Sequence, residues 1–82
     1  MDNDLITQHI ETNPQRPAVS EARLVHYGVP IWAIIGYLEA VHWDESRAAE
    51  AYDVSIEAVQ AAVAFYRLHK SDIDARLAAN AA

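Results

Sequence analysis

Arg67, Lys70 and Arg76 lie three and six residues apart in a stretch that reads as helix. Cations in that pattern have two uses. They can lie along a solvated face, with Arg76 paired to Asp72 one turn back. They can also form a basic strip offered to an acidic pocket on a partner. For DNA, the same three are the only phosphate contacts to consider beyond Arg47 and Arg23. Base reading falls to the N-terminal residues of a recognition helix. Here Gln60 suits adenine, and Glu57 suits cytosine but repels phosphate. Arg47, Gln60 and Arg67 are therefore the candidate DNA contacts, with little positive charge behind them.

No other constellation carries chemistry. The histidines, His9, His26, His42 and His69, form no i, i+4 pair and no carboxylate cluster at zinc-site spacing. Asp72 and Asp74 point apart on a helix. No nucleophile stands beside a base, and two glycines make no phosphate loop. The expectation is a chain with no catalytic residue, no cofactor and no metal, and no enzyme activity.

The charge balance sharpens this. Twelve acids against six bases leave −6, whereas non-specific DNA affinity comes from Lys and Arg neutralising phosphates. An acidic surface suits a basic protein partner better. Eighty-two residues make one small domain. Apolar residues reach 52%, which argues against disorder and suggests more apolar surface than one small core hides. There is no cysteine, so disulfides and thiolate sites are excluded. That is compatible with a reducing cytoplasm, the expected location. The acidic start, Met1-Asp2-Asn3-Asp4, is not a signal peptide. The longest apolar run, around Val29 to Leu38, is half of what a membrane span needs.

The elements that position these residues centre on a helix-turn-helix over 47–63. Ala48 is the small residue of its first helix. Tyr52-Asp53 forms the turn, Val54 plugs it, and Ser55 caps a second helix. Val59 and Val63 return to the core, while Glu57, Gln60 and Ala61 face outward. Asp44 caps the helix 45–52. Upstream, Pro30 suits a first turn, and Ile31, Ile34, Ile35, Leu38, Val41 and His42 follow helical spacing. A second apolar stripe, Trp32, Ile35, Gly36 and Trp43, packs on the N-terminal arm or forms a partner face anchored by Trp32. Residues 22–29 allow a short strand. Residues 1–20 read as a flexible arm with a short helix near 4–11, broken by Pro14 and Pro17. From Ser55 onward nothing interrupts the chain, so one long helix, or two breaking near Ser71-Asp72, is expected. Its end, Ile73 to Leu77, would project beyond a three-helix core and dock elsewhere.

Three stretches carry a resemblance. They are Gly28-Val-Pro-Ile-Trp-Ala-Ile-Ile-Gly-Tyr-Leu38, Ala48-Ala-Glu-Ala-Tyr-Asp53 and Glu57-Ala-Val-Gln-Ala-Ala-Val-Ala-Phe-Tyr66. Together, over roughly residues 20–77, the chain resembles the bacterial family catalogued as domain of unknown function 433. The resemblance implies a homeodomain-like fold with a short extended N-terminal segment. It implies an antitoxin of a type II toxin–antitoxin pair, whose usual partner is a PIN-type nuclease with an acidic metal-binding cluster. It also implies operator binding as a dimer. The chain departs from the family in its Tyr27-Gly28-Val29 version of the extended segment and in its longer Ala-rich tail.

The first functional expectation is therefore an antitoxin acting by protein–protein contact, as a homodimer or hetero-oligomer. Trp32, Ile73 and Leu77 would anchor it, while Arg67, Lys70 or Arg76 points a cation at the toxin's carboxylates. The alternatives are a helix-turn-helix regulator that binds DNA, and a structural dimerisation module.

Overall fold

A computed structural model describes residues 2–81. The chain is mainly helical, with one very short antiparallel sheet. The elements are α1 (Asp2–His9), β1 (Ile10–Glu11), a single 3₁₀ turn (Val19–Glu21), β2 (Arg23–Leu24), α2 (Ile31–Ala40), α3 (Glu45–Tyr52), α4 (Ile56–Leu68) and α5 (Lys70–Ala81).

Local chemistry explains the middle of the chain. Pro30, extended at φ −64° and ψ 142°, leads into α2. The Ile31 N–H, which has no partner within the helix, donates to the Ala22 carbonyl at 3.0 Å. Asp44 accepts from the Arg47 N–H at 3.2 Å, and Ser55 accepts from the Ala58 N–H at 3.1 Å. Both expected N-caps are thus present. The α3–α4 turn is made by Asp53 in the left-handed region, φ 55°. The next N–H, of Val54, reaches back to the Ala49 carbonyl at 3.0 Å, closing α3 in a Schellman-like turn. Val54 is buried and plugs the corner; Ala48, Val59 and Val63 are buried beside it. The end of α2 uses the same device. His42 and Trp43 both have positive φ, 57° and 62°, and the Trp43 N–H donates to the Leu38 carbonyl at 2.7 Å.

The two ends of the chain depart from the sequence reading. The stretch read as a flexible arm contains α1 and β1. Ile10 and Glu11 pair with Leu24 and Arg23, and Ile6 and Ile10 pack against the core. The helix α1 lies along α4. The C-terminal break comes at His69 rather than at Ser71-Asp72, with the His69 carbonyl accepting from the Ile73 N–H at 3.1 Å. The helix α5 does not project. It folds back onto α2 and the 3₁₀ turn, with Ile73 fully buried. Gly36 makes room for it, because a Cβ there would meet Leu77 Cδ2 at 3.1 Å.

Burial shows where the apolar residues lie. Leu24, Ile31, Ile34, Ile35, Leu38, Val59 and Ile73 are completely enclosed. The accessible surface, 4995 Å², matches the roughly 4,900 Å² of an ordinary monomeric protein of this mass. Sixteen alanines supply much of the apolar fraction, and they cover little area each. Large exposed apolar residues, among those described, reduce to Val19, Tyr27, Trp43 and Leu68.

Candidate partner interface

The second helix of the helix-turn-helix, α4, is the central helix of the molecule. Ala58, Val59 and every residue from Ala61 to Tyr66 are buried. Ala61, expected to face outward, is 0% exposed. The helix α1 packs along α4, whose buried alanines allow a close approach. What stays open on α4 is a narrow edge: Glu57, Gln60, Arg67 and Leu68. Gln60 and Glu57 are exposed as expected, but they sit on a helix with no free face to lay in a groove.

The six expected partner contacts meet different fates. Ile73 is consumed inside the chain. Trp32 and Leu77 are half-buried and packed on the core. The second apolar stripe of α2 is met by α5 at Trp32 and Gly36, and α2 also packs on the 3₁₀ turn at the end of the N-terminal arm. Arg76 is latched. Its Nε donates to Glu21 Oε2 at 2.6 Å, and its guanidinium carbon lies 4.3 Å from the centre of the Trp32 ring. The expected Arg76–Asp72 pair does not form, because Glu21 and an aromatic face offer the planar guanidinium a more sheltered site. Lys70 donates to Asp74 Oδ2 at 2.7 Å, an i, i+4 pair. Only Arg67 remains exposed with its charge uncommitted, and Leu68 beside it is 62% exposed. Among the described residues, Arg16 and Arg47 are the other cations without an ion pair.

Sequence reasoning did not find Leu68, nor the polar cluster on the other side of α4's end. There Tyr66 donates its hydroxyl to Asp74 Oδ1 at 2.7 Å, and its ring is stacked 5.8 Å from Trp43. The Lys70 hydrogen bond, then that of Tyr66, holds the Asp74 carboxyl below its ordinary range. Asp74 in turn pushes the Tyr66 phenol and the Lys70 ammonium up. A lowered carboxyl contributes stability above its unfolded value and loses it as pH falls through the folded one. A raised phenol contributes below its unfolded value and loses it as pH climbs through the folded one. The cluster is thus intact from about pH 5 to 9. In an absorbance titration of the tyrosinates, Tyr66 and Tyr52, the latter raised by burial and then by Tyr37, should ionise above the ordinary phenol range. Asp74→Asn should bring Tyr66 back toward the ordinary range. An unchanged titration would remove the Asp74 link.

No group of three or more His, Asp or Glu side chains is placed to hold a metal among the described residues. Among the described residues, no helix is long and apolar enough to cross a membrane. No family model, no curated protein and no solved structure matches the chain.

Proposed function

We propose that the chain is a protein-binding antitoxin of a type II pair, which neutralises a PIN-like nuclease toxin by contact at the C-terminal end of α4. One observation carries the reading. The helix that would read DNA is enclosed by α1 on one side and by α2 and α3 on the others, leaving only a narrow edge with Glu57 and Gln60 at its N-terminal end, where a recognition helix would meet bases. The net charge of −6 supports a basic protein partner over a phosphate backbone. The homeodomain-like packing of α2, α3 and α4, and assembly as a dimer, belong to the same proposal.

The mechanism is narrower than the sequence alone suggested. Ile73 and Arg76 hold α5 down and are not available to a partner. Leu68 provides the apolar anchor and Arg67 the cation, directed at carboxylates that would otherwise bind the nuclease's metal. Co-purification with the product of the adjacent gene tests the reading, and two proteins that do not associate would end it. Arg67→Ala should weaken the complex about 10- to 150-fold, the worth of a charged hydrogen bond. Its Tm should stay within about 4 °C, as for other surface substitutions. Operator binding inside the complex is the second reading, supported by the uncommitted Arg47 and Arg67. A promoter affinity that does not respond to salt would exclude it.

A further inference from the structure

A cleft of about 240 Å³ opens between α1, the chain that follows it and α4. Its walls are Ile6, Ile10, Ala18 and Val19, and Phe65 of α4 closes one side. Phe65 is itself held by the His69 ring, 4.5 Å away. One charged group lines it. Glu11 gives Oε2 to the Arg23 Nε–H at 2.7 Å, which leaves its second oxygen as an acceptor. Val19, 41% exposed, stands on the rim. Leu68 follows Phe65 by one helical turn, so the cleft and the proposed contact surface adjoin.

We infer that this cleft is a socket for one aromatic side chain of the partner protein, an indole or phenol whose N–H or O–H meets Glu11. The inference rests on the protein-binding reading above and adds what the partner must bring. Size argues for a ring, since an apolar cavity of about 150 Å³ already takes benzene. Polarity argues for a ring with a donor: most of the lining side chains are apolar, and of the two polar ones the Glu11 carboxylate is an acceptor and the Thr12 hydroxyl can accept as well. Charge argues for a protein source. Glu11 is shared with Arg23, so a full cation gains little in the cleft itself. The chain's −6 nevertheless favours Lys or Arg beside the inserted ring. Aromatic anchors in pockets ringed by weaker contacts dominate interfaces of this kind.

The full-length chain is titrated with indole while its amide resonances are followed. Shifts should be confined to the neighbourhood of Ile6, Ile10, Val19 and Phe65, with millimolar affinity. Ala18→Leu fills the mouth from an exposed position and should weaken indole at least fivefold and the co-purified partner at least tenfold. Val19→Asp, on the rim, should weaken the partner similarly, so a misfolded Ala18→Leu would not decide the matter. Absent or scattered indole shifts with an intact complex would overturn the socket alone. Indole binding that both variants weaken, with partner affinity unchanged, would overturn the docking role. Micromolar affinity for free indole would make the cleft a small-molecule site instead. A chain that associates with no partner would end the protein-binding reading, whatever indole does.

Discussion

Ala61→Arg should lower Tm by at least about 12–24 °C, or release α1 from the rest of the molecule. Ala61 is fully enclosed, and an arginine there must either bury an uncompensated charge or displace its cover. A buried charge without a partner costs about 3–5 kcal/mol, and each kcal/mol moves Tm by roughly 4–8 °C in a domain this size. The substitution separates two views of the helix-turn-helix. In a DNA-reading domain this position lies on the outer side of the recognition helix, where arginine would be tolerated and would strengthen DNA binding. In this protein the position is fully enclosed, on a helix that α1 packs along. Thermal denaturation combined with amide-resolved spectra of residues 2–11 distinguishes these outcomes. A variant that melts within about 4 °C of the parent, with α1 still docked, would mean that the face is open.

Ile73→Ala should cost about 2–5 kcal/mol, the range for truncating an enclosed aliphatic side chain. Ile73 has no exposed surface and sits where α5 meets the body of the protein. The loss should appear in chemical denaturation as a lower midpoint. The fraction that remains folded should bind the partner almost as tightly as the parent. Arg67→Ala should do the opposite, with stability kept and binding lost. If Ile73→Ala left stability intact but abolished binding, α5 would have to leave the body in solution, and the projecting helix expected from sequence would be restored.

The middle of the chain was legible because its signals are local. Asp44, Ser55, Asp53 and Val54 act on backbone groups within five residues, so cap, turn and plug can be read in order. Pro30 likewise acts on the helix it opens. The ends were not legible because their partners are distant. Glu21 and Arg76 are 55 residues apart, and nothing in the neighbourhood of either names the other; Asp72, at the right helical spacing, was the local decoy. Gly36 gave no warning that Leu77 would fill the space beside it. Alanine was the other source of error. Ala61 is small enough to suit a solvated face or a tight helix crossing, and periodicity alone does not distinguish the two. The packing of distant elements decides between the two, among them α1, more than fifty residues earlier in a segment that reads as polar. Of the expected contacts, Arg67 kept its exposure, while Leu68 was overlooked because a single apolar residue on a helix usually turns inward.

The pairing of Glu21 with Arg76 has a kinetic consequence. Closing a loop of that length costs chain entropy before any contact repays it, whereas the α2–α3–α4 contacts span short stretches of sequence. Folding should therefore begin in the helix-turn-helix and its preceding helix, with the N-terminal hairpin and α5 arriving last, each from its own side. The same order reversed describes how the native protein opens: the two ends lift first, and the central alanine-lined helix is briefly uncovered while its turn remains intact.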